Sequence, residues 1–360
     1  DGKPLQAGGI SPDARRWGHT GSSGVGNRDA LMQAWGRTGI GASGADGTAA
    51  PASDGSADGG GSVADGSQGG AGASAATKAG GPEGLGVWIN GRADFGAFNA
   101  YRQSAGFDSD NIAINTGVDQ RIGENALVGM SLGYAHDNSS IAHDGTRSIA
   151  QGYSASLYGS YAPTSRTYVD VILGGGGLRF DSRRPDPDSG GLLTGQRTGS
   201  QWFGSLTGGY EYQYHDVLLS PYGRYQWSRS ELNGYAENGA ASAALAYGSE
   251  TVRSSLLAVG LRASGQVKFD SAVLVPRARL EIGHDFQGTS NTLLSYAFIP
   301  TAGSWSVLSN PYSANGTSVQ FGIGAGLQLP RELSLGIDYG YMLQPHAHDQ
   351  MLRFDLTKQF

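Results

Sequence analysis

The chain has 360 residues, of which 60 are glycine and only 16% are charged, with a formal net charge of −6. The glycine share is about twice that of an ordinary soluble domain, the negative charge argues against a nucleic-acid partner, and the absence of cysteine excludes disulfides and cysteine-ligated metals. No run of about 18 apolar residues occurs, which excludes a bundle of spanning helices but not a β-barrel, whose strands are apolar on only one face.

Residues 1–40 have an irregular sequence with one predicted helix at 27–35 (NRDALMQAW). Asn27 can cap this helix, and Leu31 and Trp35 would share one face. The opening stretch DGKPLQAGGISPD has neither the basic nor the apolar segment of a signal peptide. We therefore expect that any signal peptide has been removed, or that this chain is a C-terminal piece of a longer protein.

Residues 41–84 consist almost wholly of Gly, Ala, Ser, Asp and Thr, and Val63 is the only aliphatic residue larger than alanine among them. Such a segment cannot bury enough apolar surface to offset the entropy lost on ordering. We predict a disordered, flexible linker here.

From Leu85 to Phe360 the sequence alternates between apolar and polar residues with period two. Side chains on a strand point alternately to opposite faces, so each segment has one apolar and one polar face. We predict twelve strands, at residues 86–97, 109–121, 126–137, 148–161, 166–180, 199–214, 217–230, 251–265, 272–286, 315–329, 332–343 and 348–360.

A soluble β-sandwich would also alternate, but three features favour a membrane barrel. The segments run about 10–15 residues, whereas soluble strands usually have about 5–6 and a bilayer requires about 9–11. The polar face mixes charged residues with many glycines, as a water-filled lumen would. The connections after even-numbered strands are predicted to be short and those after odd-numbered strands long, the longest at 287–314, as in outer-membrane barrels.

Aromatic residues near the predicted strand ends are expected at the membrane interfaces. They are Trp88, Phe95, Trp202, Tyr212, Tyr214, Trp227, Tyr339, Tyr341 and Phe360.

The region from 85 to 360 resembles the translocator domain of monomeric autotransporters (type V secretion). The similar stretches are LGVWINGRADFG (85–96), LRFDSRR (178–184), GQRTGSQWFGSLTGGYEY (195–212) and LLSPYGRYQWSR (218–229). The resemblance implies an all-β, twelve-stranded antiparallel transmembrane barrel in the outer membrane of a Gram-negative bacterium. It also implies a periplasmic C-terminus, extracellular long loops, and as partners outer-membrane lipid and lipopolysaccharide, the barrel-assembly machinery, periplasmic chaperones and the chain's own passenger.

The last strand, MLRFDLTKQF, resembles the signal by which the barrel-assembly machinery recognises its clients. Phe354, Leu356 and Phe360 fit this pattern, whereas Lys358 departs from it because that position is usually aromatic or aliphatic.

Some members of the family cut their passenger off inside the pore at an Asn-Asn bond, but no such pair occurs here. We therefore expect no self-cleavage of that kind.

No constellation of residues points to an enzyme, and we expect no catalytic residues, cofactor or metal. His346 and His348 are only two potential ligands in a turn, too few for a metal site, and no serine has the surroundings of a nucleophile elbow. Gly174–Gly177 is not followed by the Lys-Ser/Thr pair of a phosphate-binding loop. We interpret these glycines as making the barrel wall thinner, which leaves room for something inside the barrel. The residues expected to face the lumen are Arg92, Asp94, Asp170, Glu211, Arg224, Arg277, Arg279 and Glu281.

The predicted function is export and anchoring of an upstream passenger, of which residues 1–40 would be a remnant and residues 41–84 the part that threads the pore. The alternatives are a freestanding outer-membrane pore, a loop-based adhesin, and an outer-membrane protease or lipase with a site on its loops. The last would need a Ser/His/Asp or Asp/His cluster, which the sequence does not offer.

Overall fold

The computed structural model describes residues 84–99, 106–142, 144–186, 189–239, 244–287, 290–298, 305–308 and 316–360. The predicted helix at 27–35 and almost all of the predicted linker at 41–84 lie outside these residues. Within them, no helix has the length and apolarity needed to cross a membrane.

Twelve long antiparallel strands follow one another along the chain, each paired with its sequence neighbours. They are β1 (Leu85–Phe98), β2 (Phe107–Ile122), β3 (Ala126–Ile141), β4 (Thr146–Tyr161), β5 (Thr167–Pro185), β6 (Leu192–Tyr210), β7 (Val217–Leu232), β8 (Glu250–Gly265), β9 (Val273–Asp285), β10 (Thr317–Leu329), β11 (Leu333–Gln344) and β12 (Ala347–Gln359).

The sheet closes on itself because β12 pairs back onto β1. The ladder runs from Gly86 opposite Gln359 to Phe98 opposite Ala347. At the seam, the backbone N–H of Phe360 donates to the carbonyl of Leu85. The predicted closed, twelve-stranded antiparallel barrel is confirmed.

Several strands run further at one end than the alternation predicted. The fifth strand was expected to stop at residue 180 but continues to Pro185, and β6 begins at Leu192 rather than at 199. At its other end β6 stops at Tyr210, and Tyr212–Tyr214 forms a separate short strand against β7.

This extension corrects the prediction that every odd-numbered strand is followed by a long loop. Only residues 142–145 separate β3 from β4, and only 186–191 separate β5 from β6. Backbone pairing continues through polar stretches such as Arg183–Pro185, where nothing apolar marks a strand. The connections after β7 and β9 are long, as predicted.

These two long connections form a second, four-stranded sheet that is separate from the barrel sheet. Its strands are Tyr235–Ala236, Leu245–Tyr247, Asn291–Tyr296 and Trp305–Leu308. At the opposite end of the barrel the turns are tight. A 3-10 helix (Pro330–Glu332) joins β10 to β11, and the short strand Val267–Lys268 pairs with the start of β9.

The outer face of the barrel is a band of exposed apolar side chains, such as Leu132, Leu157 and Ile323. Exposed apolar side chains on a closed barrel fit a hydrocarbon surrounding rather than water. Most of the aromatic residues expected at the interfaces are exposed on this face, including Trp202 and Trp227. The prediction was wrong for Trp88, which is 2% exposed because it shares the inward face of β1 with Arg92 and Asp94.

Closure can be tested at Ile89, which lies opposite Leu356 of β12 and Thr116 of β2. The variant Ile89→Pro removes a backbone donor from a strand that is paired on both sides. We expect it to lower the fraction of barrel that shows heat-modifiable mobility in gel electrophoresis. Ile89→Ala keeps the donor and should fold like the wild type, and equal folding of both variants would contradict a requirement for this seam.

Candidate functional site: the barrel interior

The interior receives alternate side chains from each strand. All eight charged residues named from the sequence are buried, with exposed fractions of 9% or less, and the structure brings them together in several groups. They are Arg92, Asp94, Asp170, Glu211, Arg224, Arg277, Arg279 and Glu281.

On β1, Arg92 and Asp94 form an ion pair, with Arg92 Nη2 2.5 Å from Asp94 Oδ1. Arg353 of β12 lies directly opposite Arg92 across the seam, and it pairs with Asp355 at 3.2 Å. Two opposed arginines would repel each other without these carboxylates. The seam therefore carries two balanced pairs on its inner side.

Glu281 of β9 is the centre of a second group. Its Oε1 lies 2.5 Å from Arg224 Nη2 and 3.3 Å from Arg279 Nη2. Its Oε2 accepts a hydrogen bond of 2.8 Å from the Tyr222 hydroxyl. One buried carboxylate thus compensates two arginines contributed by β7 and β9.

Arg277 pairs with Asp338 of β11, at 3.1 Å between Nη2 and Oδ1. The intervening residue on β10 is Gly324, where a Cβ atom would stand 1.8 Å from Asp338 Oδ1. Only glycine leaves room for this contact. The sequence associated such inward glycines with a water-filled lumen, but Gly324 makes room for the side chain of a neighbouring strand.

Asp170 lies close enough to interact electrostatically with Arg262 and with Glu211. Arg262 of β8 places its guanidinium 4.3 Å from the centre of the Tyr222 ring, and its Nη1 lies 3.5 Å from the Tyr168 hydroxyl. Arg262 was missed in the sequence, although it falls on the polar side of the alternation in β8.

An aromatic and aliphatic cluster also lies inside the barrel and was not predicted. It consists of Trp88, Leu127, Tyr158, Ile172 and Phe203. Trp88 Nε1 donates to the Tyr158 hydroxyl at 2.6 Å, and that hydroxyl bonds Asp119 at 2.9 Å. The interior therefore contains an apolar cluster beside charged residues such as Asp119.

The glycine run Gly174–Gly177 was interpreted as making room inside the barrel. A Cβ atom at Gly174 would stand 2.4 Å from the Phe203 ring of the neighbouring strand. At this position the space is taken by a side chain of the barrel wall itself.

Two further ion pairs lie near the end of the barrel that carries the long connections. Arg197 and Glu250 are 3.5 Å apart and almost fully buried. Arg184 pairs with Glu237 of the connection after β7, with the Arg184 Nη2 to Glu237 Oε2 distance at 2.7 Å. Sequence reasoning missed both, because it placed residues 197, 237 and 250 in loops.

The connection after β7 runs alongside β6 at this end and turns the Tyr235 ring toward the inner side. Asn238 exchanges two backbone hydrogen bonds with Thr194 of β6. A Cβ at the inward-facing Gly195 would stand 2.3 Å from the Tyr235 ring, which stacks on Tyr247 at 4.6 Å. This segment narrows the mouth of the barrel.

The arrangement provides pairs of buried opposite charges along the wall. Among the described residues, no group of three or more His, Cys, Asp or Glu is placed to hold a metal ion.

The three residues of the predicted assembly signal, Phe354, Leu356 and Phe360, are exposed on the outer face. Lys358 lies in the same row, and its ammonium donates to the carbonyl of Arg331 in the adjoining turn. It also lies 5.1 Å from the centre of the Phe360 ring. These contacts accommodate the residue that departs from the usual terminal pattern.

A closed barrel with an apolar outer band and ion-paired interior defines an outer-membrane β-barrel. The model of the family described as "Autotransporter beta-domain" matches residues 87–340, and the chain belongs to this family. The resemblance noted in the sequence is thereby confirmed, and the protein is a bacterial outer-membrane translocator barrel.

Solved structures with this fold include the translocator domain of the autotransporter NalP from Neisseria meningitidis. It has a TM-score of 0.64 at 17% identity, over 78% of this chain and 90% of that one. The β domain of the Bordetella autotransporter BrkA has a TM-score of 0.59 at 18% identity, over 77% of this chain and all of that one. At such identities these likenesses establish the fold alone.

Two curated relatives carry the names of enzymes. Lipase 1 of Photorhabdus luminescens is 27% identical over 206 residues, which is 55% of this chain and 30% of the relative. Esterase EstA of Pseudomonas aeruginosa is 27% identical over 198 residues, 52% of this chain and 30% of the relative. The chain thus matches less than a third of each relative's length.

The central role of Glu281 predicts a large loss of stability in Glu281→Ala, because two buried arginines lose their carboxylate. We expect the free energy of unfolding, measured by urea titration in lipid vesicles, to fall by about 3–5 kcal/mol. The matched control is Glu231→Ala, which breaks a pair with Arg229 whose side chains are 49% and 56% exposed. That change should lower the free energy of unfolding by less than about 1 kcal/mol. Similar losses of stability in the two variants would refute the role of Glu281 in compensating the buried arginines.

Proposed function

We propose that this barrel exports and anchors its own N-terminal passenger, with the residues before β1 passing through the interior. The proposal rests on one observation. A closed barrel of the autotransporter family follows directly on a segment, residues 41–84, that is almost free of large side chains. Gly84 donates its backbone N–H to the carbonyl of Phe360, so the linker enters at the end of the barrel where β12 finishes.

The proposed topology follows from this connection. With the C-terminus in the periplasm, the tight turns are periplasmic, and the long connections after β7 and β9 are extracellular. About ten residues of extended chain cross a hydrocarbon core of about 30 Å. The segment 41–84 is several times longer than that, which leaves enough chain to present residues 1–40 outside the cell.

The barrel itself acts as a transporter in this proposal and not as an enzyme. The lipase and esterase names belong to proteins of which this chain matches less than a third. Six of the eight charged side chains named from the sequence are in ion pairs, as Arg224 and Glu281 are, which suits a wall rather than a catalytic centre. Assembly is proposed to use the barrel-assembly machinery and periplasmic chaperones, with Phe354, Leu356 and Phe360 as the signal.

Threading can be tested with single cysteines, since the chain has none of its own. In intact cells, Thr20→Cys should react with a membrane-impermeant maleimide because it lies outside the cell. Ser74→Cys should be protected because it lies within the pore. If Thr20→Cys reacts only after the outer membrane is permeabilised, the tail is periplasmic and the freestanding-pore alternative replaces the proposal.

A second experiment tests whether the size of the linker side chains limits export. Replacing Gly59, Gly60 and Gly61 with Trp should stall export, whereas Ser at the same positions should not.

The assembly signal can be tested by deleting Phe360, which is exposed on the outer face of the barrel. We expect less folded barrel in the outer membrane and more unfolded chain in the periplasm, measured by fractionation and heat-modifiable mobility. Phe360→Tyr keeps a terminal aromatic and should assemble normally. Undiminished assembly of the deletion variant would place the signal elsewhere.

A further inference from the structure

The tip of the long β5–β6 hairpin carries a cavity of about 660 Å³. Its floor consists of two rows of directly opposed residues on neighbouring strands, namely Arg147–Arg183–Thr194–Asn238 and Ile149–Asp181–Gln196. These positions alternate with inward-facing residues such as Ser148 and Leu193. The side chains of Arg147, Arg183 and Thr194 point outward, so the cavity lies on the outer face of the barrel. Ser182 and Gly195 of the wall and Tyr235 of the connection after β7 also line it.

Two like charges face each other on this floor. Arg147 of β4 is directly opposite Arg183 of β5, which places their Cβ atoms about 5 Å apart and is unfavourable without an anion between them. Among the residues that the structure describes, neither guanidinium has a hydrogen bond or ion pair. The nearby carboxylate of Asp181 bonds Arg179 instead, at 3.3 Å.

The remaining polar groups of the cavity are suited to a sugar. Thr194 contributes a hydroxyl, and Gln196 and Asn238 contribute amides. Guanidinium groups match the geometry of phosphate and bind it through two parallel hydrogen bonds. A cavity of this volume is in the range that holds a small ligand or a headgroup.

The cavity lies beyond the outer aromatic belt of the barrel. Tyr153 and Trp202 are each 64% exposed on the outer face, as belt residues at a membrane interface are. Arg147 precedes Tyr153 by six residues along β4, which on a tilted strand is about 15 Å further along the barrel axis. In the proposed orientation this is the level of lipid headgroup sugars, above the acyl chains.

We propose that this cavity binds a phosphate group carried by the headgroup sugars of the outer-leaflet glycolipid, with Arg147 and Arg183 as its principal ligands. The level assigned to the cavity rests on the proposed function, because that function sets the long connections outside the cell. The phosphate neutralises the opposed arginines, and the amides and the hydroxyl contact the adjoining sugar. Bound glycolipid would hold the β4–β6 part of the wall in the outer leaflet.

The experiment compares the folded full chain with two double variants. Arg147→Gln/Arg183→Gln removes both charges from the cavity. Arg166→Gln/Lys268→Gln removes two charges at the opposite end and is the matched control. Each protein, in detergent, is titrated with lipopolysaccharide bearing core phosphates, with the same lipid after enzymatic dephosphorylation, and with inorganic phosphate, and bound molecules are counted by native mass spectrometry.

We expect the wild type and the control to retain the phosphorylated glycolipid, and the cavity variant to bind it about tenfold or more weakly. Dephosphorylation of the lipid should weaken wild-type binding by a similar factor. Equal retention by the cavity variant would overturn the site. If inorganic phosphate binds as tightly as the glycolipid, the ligand of the cavity is free phosphate, and the assignment to a lipid headgroup is wrong.

Export is measured separately, by maleimide labelling of Thr20→Cys in the same backgrounds. Normal labelling with lost glycolipid binding supports the cavity assignment without affecting the proposed translocation. If the protein binds glycolipid but Thr20→Cys is not labelled in the otherwise wild-type background, the export proposal is refuted and the cavity assignment is not.

Discussion

The fold depends on one constraint: inside a bilayer, every backbone N–H and C=O group must find a partner within the protein. The pairing of β12 with β1 from Gly86 to Phe98 meets this constraint, because it removes the two edges that an open sheet would leave. Once the sheet is closed, each strand has one face toward lipid and one toward the interior. The period-two sequence of residues 85–360 is the consequence.

Closure also decides how the interior is built. Charged side chains cannot remain buried without partners, so arginines and carboxylates from different strands meet, as Arg224 and Arg279 do at Glu281. Gly324 supplies the room for one of these side chains, Asp338. At such positions of the barrel, glycine is explained by packing within the wall.

The alternation was enough to predict the number of strands and their order. It could not predict where strands end beyond the lipid, because no apolar residue is required there and backbone pairing alone continues through Arg183 and Arg184. It could not predict partners such as Arg197 and Glu250, which are distant in sequence. Trp88 differs from the other interface aromatics because it has the same parity on β1 as Arg92 and so faces the interior.

The same physics distributes rigidity along the barrel axis. Within the membrane, each strand of the wall is paired on both sides, so widening the wall there would break backbone hydrogen bonds in an environment that offers no substitutes. At the mouth, by contrast, the connection after β7 contacts β5 and β6 through the Thr194–Asn238 bridge, whose residues are exposed to water, and through the Arg184–Glu237 pair. A chain leaving the pore as proposed would therefore meet a wall that holds its shape and, at the mouth, a connection held in part by a backbone bridge that water can reach.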